Sequence, residues 1–113
     1  MTVVSFWKRK PWRNPKYALF VRTLACALTG DESTEYLAVD PHHEEVPGNS
    51  GMSTKASDER QIPIRHDLHN RMETGGNSRA SVYAEYDKDP EQLIRETQAA
   101  WQRRFGSRPW ETA

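Results

Sequence analysis

The chain has 113 residues, of which 35% are hydrophobic, so it holds enough apolar material for one small domain and not for two. Sixteen Lys and Arg residues balance sixteen Asp and Glu residues, so net charge indicates neither a nucleic-acid nor a membrane partner. The single cysteine, Cys26, excludes an intramolecular disulfide and favours a reducing compartment, and no apolar run reaches the ~20 residues that span a bilayer.

Positive charge is concentrated at the N-terminus, where several basic residues precede the first acidic residue, Asp31. Trp7, Trp12 and Tyr17 are interleaved with them, a combination that suits phosphate contacts together with stacking on bases. We therefore interpret residues 1–13 as a basic arm that contacts DNA, and a solvated tail is the alternative. The basic residues of this region predicted to contact DNA are Lys8, Arg9, Lys10, Arg13 and Lys16.

The first predicted helix starts at Asn14-Pro15, with the asparagine as N-cap and the proline at the first helical position. Apolar residues then recur at three- and four-residue steps as far as Leu28. Gly30 follows where a helix stop is expected. The pattern predicts one amphipathic helix over this whole stretch.

Two short strands are predicted in the middle of the chain. The apolar run at residues 36–39 indicates a buried strand, with His42 and His43 shortly after it. Residues 44–60 are rich in Gly, Pro, Ser and charge without periodicity, which predicts an exposed loop. The second strand is predicted over residues 61–64.

The second half of the chain predicts helices. Residues 66–72 are expected to form a short helix, and residues 79–86 are ambiguous. Asp89-Pro90 opens the clearest helix, which Gly106 ends. The predicted order is therefore helix, strand, loop, strand, helix, helix, which is an α+β fold.

The four histidines fall in two clusters, one after the first predicted strand and one at the start of the following helix. Neutral imidazole is the commonest metal ligand and also a base near neutral pH, so adjacent histidines can divide those two tasks. Glu73 shares a helix face with His69, four residues earlier, and His66 is a spare donor. Four histidines in solvated loops are the alternative. The candidate metal and catalytic residues are Asp40, His42, His43, His69 and Glu73.

Strand geometry predicts which of these candidate residues lie on the same face. Alternate residues of a strand share a face, so Asp40 and His42 can lie together while His43 points elsewhere, unless Pro41 breaks the extended geometry. The tasks of the two adjacent histidines can also be exchanged.

A wider pattern joins these features. It consists of the helical run at residues 17–26, the His42-His43 pair after residues 39–41, a glycine-rich loop with Lys55 and Asp58, the strand residues 62–64, and His69. In this order the segments resemble phage and prophage HNH-superfamily nucleases of the recombination-enhancement, Ref-like group. The resemblance covers roughly residues 10–90.

The resemblance implies a small ββα-metal (HNH) core with flanking N-terminal and C-terminal helices. It also implies a phage- or prophage-encoded, metal-dependent DNA endonuclease in the cytoplasm of the bacterial host cell. One HNH-like domain would span residues 14–105, followed by a C-terminal tail over residues 106–113. His42 and His69 would be metal ligands, with Glu73 and Asp40 as further carboxylates, and His43 would be the general base.

Two departures from the family pattern concern metals. The family's two Cys-x-x-Cys pairs read here as residues 26–29 and 65–68, with only one cysteine between them. One thiolate cannot hold a tetrahedral zinc, so no structural zinc is expected, and Leu28 and Leu68 are predicted to pack in its place. Glu73 replaces the family's last histidine, which favours magnesium or manganese, with zinc possible, and could equally mark a degraded site.

The residues around the site are given roles by position. Lys55, Arg60 and Arg65 flank it and are predicted to contact DNA phosphates, with ordinary solvated charges as the alternative. Asp58 is predicted to tie the loop to the second strand. Two other functions remain open: a catalytically degraded HNH-fold module that only binds DNA, and a phage protein that inhibits a host protein.

Overall fold

Four helices and a two-stranded antiparallel sheet make up the computed structural model, which describes residues 12–45, 56–75 and 78–111. This confirms the α+β class expected from the sequence. None of the helices described is long and apolar enough to cross a membrane. In chain order the elements are α1 (Pro15–Arg22), β1 (Val39–His43), a 3₁₀ turn (Asp58–Arg60), β2 (Gln61–Arg65), α2 (His66–Met72), α3 (Ser78–Glu85), α4 (Pro90–Phe105) and a second 3₁₀ turn (Pro109–Glu111).

Helix α1 starts as expected, because the Asn14 side chain accepts the backbone N–H of Lys16 at 3.0 Å. It ends at Arg22, and the prediction that it continues to Leu28 was wrong. Beyond Thr23 the chain turns back, so that the N–H of Ala27 donates to the carbonyl of Pro63 in β2 at 2.8 Å. The apolar spacing continued past the helix because the next residues also face the core.

The first strand was predicted too early. Tyr36 is 91% exposed, and β1 runs from Val39 through both histidines, so the pair lies within the strand rather than after it. Pro41 lies opposite Pro63. The carbonyl of Pro63 is turned toward Ala27 and away from β1, so this pair lacks cross-strand hydrogen bonds and the missing N–H groups cost the sheet nothing. The prolines therefore do not break the extended geometry.

The main core lies where β2 meets the three later helices. It includes Ile62 and Ile64 of β2 with Leu93 of α4. Leu28 and Leu68 are both buried in this cluster, in agreement with the prediction that they contribute packing here. A second, smaller cluster of Tyr17, Val21 and Trp101 joins α1 to α4.

An internal hydrogen-bond network surrounds Cys26. Its Sγ accepts the backbone N–H of Arg65 at 3.3 Å. The Arg65 guanidinium donates to Asp31 at 2.8 Å and, through two nitrogens, to Asp67 at 2.6 and 2.7 Å. These ion pairs link the turn after α1 to the β2–α2 junction, and packing of apolar side chains beneath them completes the connection.

The loop between the strands is not exposed at its ends. Glu44 and Asp58 are both buried, which contradicts the prediction of a solvated loop at these two positions. Arg60 joins the ends, since its guanidinium donates to the carbonyl of Glu44 at 2.8 Å and pairs with Glu91 of α4. Residues 46–55, including Lys55, lie outside the described part of the chain.

Candidate metal centre

The two adjacent histidines of β1 face opposite ways, as alternation along a strand requires. The His42 ring turns toward α2, with its centroid 5.1 Å from that of His69. Asp40 lies on the same side and contacts His69. His43 points the other way and contacts Asp58. The predicted sharing of one face by Asp40 and His42 is therefore confirmed.

Three side chains converge between β1 and α2. Glu73 Oε1 lies 3.7 Å from His42 Nδ1 and 3.4 Å from His69 Nε2. One ligand atom from each of the three residues lies within 4.8 Å of the others. Ligand atoms held about 2.1 Å from a tetrahedral ion are about 3.4 Å apart. The distances from Glu73 to the two histidines are close to this value, so His42, His69 and Glu73 form a group that could hold one small metal ion.

Two carboxylates fix which nitrogen of each ring faces the centre. Glu44 Oε2 lies 2.9 Å from His42 Nε2, and Asp40 Oδ2 lies 2.9 Å from His69 Nδ1. An ionised carboxylate only accepts hydrogen bonds, so these ring nitrogens donate. In the neutral rings the lone pairs then lie on His42 Nδ1 and His69 Nε2, which are the two nitrogens that face Glu73.

The ionised state of Glu44 and Asp40 supports this tautomer assignment. Burial opposes ionisation of Glu44, but hydrogen bonds from His42 and Tyr83 outweigh it and hold its pKa below the usual value. Burial opposes ionisation of Asp40 in the same way, and hydrogen bonds from His69 and His66 bring its pKa below the usual value. Both groups are therefore anionic at neutral pH.

The His42 ring gives a direct test of whether a metal suits this place. His42 is fully buried, and its Nδ1 has no hydrogen-bond partner within the described part of the chain. A buried acceptor without a partner is costly unless something else satisfies it. A divalent cation at this point would do so. The side chain of Glu73 is 54% exposed, which leaves an approach from solvent.

The donor set bears on which ion fits. Two imidazole nitrogens and one carboxylate oxygen suit manganese, zinc or another transition metal, whereas magnesium prefers oxygen ligands throughout. Of the ions expected from the sequence, manganese and zinc match these donors better than magnesium does. Asp40, predicted as a ligand, instead lies behind His69, where it also accepts from His66 Nδ1 at 2.6 Å.

Three residues that the sequence did not single out complete the surroundings of His42. Tyr83 donates its hydroxyl to Glu44 Oε2 at 2.8 Å, and Arg79 Nη1 lies 3.7 Å from Glu44 Oε1. Glu44 follows His42 by two residues, so extending the strand in the sequence prediction would have placed the two on one face. Tyr83 and Arg79 lie in α3, 39 and 35 positions beyond Glu44, where no local pattern links them to it.

Changing Glu44 to Gln tests this outer layer. The variant keeps a hydrogen-bonding group at His42 Nε2 but removes the charge that fixes the tautomer, so affinity for Mn²⁺ or Zn²⁺ is expected to fall by about 10- to 100-fold. Isothermal titration calorimetry measures the affinity. Glu45→Gln is the matched control, because its side chain is exposed. Equal affinities in the two variants would contradict the assigned role of Glu44.

His43 is held by a second buried carboxylate. Asp58 Oδ1 lies 2.8 Å from His43 Nε2, and Asp58 Oδ2 accepts the backbone N–H of Asn14 at 2.7 Å. Burial opposes ionisation of Asp58, but bonds from His43 and Asn14 hold its pKa below the usual value. The Asp58 side chain therefore ties the loop to the start of α1, while its carbonyl accepts the backbone N–H of Gln61, the first residue of β2. With Asp58 ionised, His43 Nε2 is the donor, so the lone pair of the neutral ring lies on Nδ1.

The residues predicted to contact DNA are separated by the fold. The side chain of Arg13 is 43% exposed and pairs with Asp58 at 3.2 Å, and Lys16 is exposed on α1. Arg60 and Arg65 are partly buried and bond to acids and backbone carbonyls of the chain, which stabilises the fold; their contact with DNA stays a prediction. The remaining predicted contacts lie outside the described residues: Lys8, Arg9, Lys10 and Lys55.

Comparison with known proteins gives three findings. Residues 3–102 match the family model DUF968, described as a protein of unknown function. The uncharacterized protein YdfU of Escherichia coli (strain K12) is 39% identical over 67 residues, which cover 59% of this chain and 18% of YdfU. The chain thus spans less than a fifth of that relative. No solved structure matches it.

Proposed function

We propose that this chain, which belongs to the DUF968 family, is a metal-dependent endonuclease that hydrolyses phosphodiester bonds in DNA. The observation that carries the proposal is that the two adjacent histidines of β1 face different groups. His42 joins His69 and Glu73 in a group that fits a divalent ion, while the adjacent His43 is oriented by Asp58 as a base. A metal group and an oriented base on one strand–helix unit are what metal-assisted hydrolysis requires.

Each residue has a separate task in the proposed reaction. His42, His69 and Glu73 would hold a divalent ion, which would supply Lewis-acid polarisation of the scissile phosphate and stabilisation of the leaving 3′-oxygen. His43 Nδ1 removes a proton from the attacking water, whose oxygen forms the new bond to phosphorus as the bond to the 3′-oxygen breaks. Asp58 stabilises the positive charge that His43 then carries. The 3′-oxygen is protonated by solvent, and His43 later returns its proton to water.

The proposed class is that of the HNH nucleases, in keeping with the order of motifs along the chain. Its support is a hairpin, β1 and β2, followed directly by a helix, α2, with the candidate ligands on β1 and on α2 and at its end. We further propose DNA as the partner, a phage or prophage origin, and the cytoplasm of a bacterial host cell as the place of action. The E. coli relative agrees with a bacterial setting.

A plasmid-nicking assay tests the function. Wild type and His43→Ala are incubated side by side with supercoiled DNA in Mn²⁺, Mg²⁺, Zn²⁺ or EDTA. Nicking by wild type that requires a metal and is lost in the variant is the expected result. Nicking in EDTA, or equal nicking by both proteins, would refute the proposal. Salt-sensitive binding of DNA by both proteins without any cleavage would instead identify a nuclease fold that only binds DNA.

A further inference from the structure

Four aromatic rings form a continuous cluster between α1 and α4. Ring centroids lie 5.3 Å apart for Tyr17 and Trp101, 5.3 Å for Phe20 and Trp101, and 5.7 Å for Phe20 and Phe105. Tyr17 and Trp101 are buried and Phe20 is partly buried, whereas Phe105, at the end of α4, is 51% exposed. The cluster therefore fixes the Phe105 ring from below and leaves much of it open to solvent.

A second exposed aromatic ring follows α4. Trp110, in the last 3₁₀ turn, is 43% exposed, and the preceding residue, Pro109, is buried and anchors the turn. The Arg108 guanidinium lies 5.8 Å from the Trp110 ring and also pairs with Glu111 at 3.9 Å. Single exposed aromatic rings are ordinary on a protein surface, so the side chains that lie beside these two rings decide what they can bind.

Cations surround these rings. Arg104 lies 5.8 Å from the Phe105 ring, and Lys16 lies four residues before Phe20, on the same face of α1. Within the described ranges neither Arg104 nor Lys16 forms an ion pair with an acid, and both are exposed. The helix dipole favours a cation near the end of α4, but it accounts neither for the exposed rings nor for Lys16 at the start of α1.

We propose that the α1–α4 surface of Lys16, Leu19, Arg104 and Phe105, together with Arg108 and Trp110 directly after α4, binds single-stranded DNA. Unpaired bases can stack on the two open rings, and Lys16 and Arg104 can meet the phosphates. In a duplex the base faces are already stacked on each other, so open rings offer nothing to them. This surface shares no residue with the metal centre, so its binding is separate from cleavage and goes beyond the proposed function.

Fluorescence anisotropy of a labelled oligothymidylate, titrated with the full chain at low salt in EDTA, measures this binding without cleavage. Phe105→Leu is expected to weaken binding by about 5- to 100-fold, while Phe105→Trp keeps the stacking ring and stays close to wild type. Arg104→Glu is expected to weaken binding and reduce its salt dependence. The matched control is Arg95→Glu, an exposed arginine more than two turns earlier on α4, which is expected to stay within about 2-fold of wild type.

The opposite results are equally clear. Phe105→Leu and Arg104→Glu binding like Arg95→Glu would overturn the proposal, as would equal losses for a duplex of the same length. Phe105 is half exposed, so its replacement leaves the buried cluster in place, and far-UV circular dichroism confirms folding. Because no step requires a metal or cleavage, a failure here leaves the nuclease proposal intact, and a failure of that proposal leaves this one intact.

Discussion

Replacing His43 by Ala is expected to lower the turnover number for plasmid nicking by about 10²- to 10⁴-fold, the usual contribution of general acid–base catalysis. Affinity for the metal should change little, because His43 points away from the group formed by His42, His69 and Glu73. This separation is what makes the experiment informative. A loss of rate with unchanged metal affinity assigns the base, whereas a loss of both indicates damage to β1.

A second substitution at the same position separates the role of His43 as a base from its role in packing. His43→Gln fills similar space and can still donate an amide N–H to Asp58, but it has no basic nitrogen at neutral pH. It is expected to be as inactive as His43→Ala and to unfold at a temperature closer to that of the wild type. Nicking rates and thermal unfolding curves measure the two effects. Substantial nicking by His43→Gln would show that another group takes the proton.

The second large effect is expected for His69→Ala, which removes one of the three ligand atoms and should reduce Mn²⁺ or Zn²⁺ affinity by at least about 100-fold. His66→Ala is the matched control on the same helix, three residues earlier. His66 also contacts Asp40, but its ring lies outside the ligand group, and Asp40 keeps its bond to His69.

Calorimetry with each metal and nicking rates across metal concentrations provide the comparison. We expect His66→Ala to bind metal within a few-fold of wild type and His69→Ala to lose both binding and nicking. Nicking by His69→Ala restored at high metal concentration would still agree with a weakened site. Unchanged metal affinity in His69→Ala would contradict the ligand assignment outright.

The candidate site was predicted from the sequence in part. The histidine clusters, Glu73 and the pairing of Asp40 with the face of His42 all follow from spacing along one strand and one helix. The true position of Asp40 does not follow from spacing. Only the packing of α2 on β1 shows that its carboxylate bonds His69 Nδ1, the ring nitrogen that faces away from the metal group. The side-chain partners of Asp58, which are Asn14 and His43, were missed for the same kind of reason.

Helix starts were predicted correctly from the sequence, whereas the end of α1 was not. Both proline-initiated helices begin where their caps predict, since a cap depends on residues within one turn. The end of α1 was misplaced because its apolar spacing continues into a turn that Pro63, far along the chain, holds in place. The sequence had no local signal for that contact.

The sequence by itself therefore determined the α+β class, the helix starts and the residue types available for metal chemistry, because each depends on neighbours within a few positions. Tertiary structure alone decided which nitrogen of each histidine faces the centre. That choice rests on Glu44 and Asp40 hydrogen-bonding the opposite ring nitrogens, and on Tyr83 holding Glu44 from 39 positions away. Helix packing on the strand creates the contacts of Asp40 with His69 and of Tyr83 with Glu44, which no periodicity along the chain encodes. The contact of Glu44 with His42 follows from alternation along one strand.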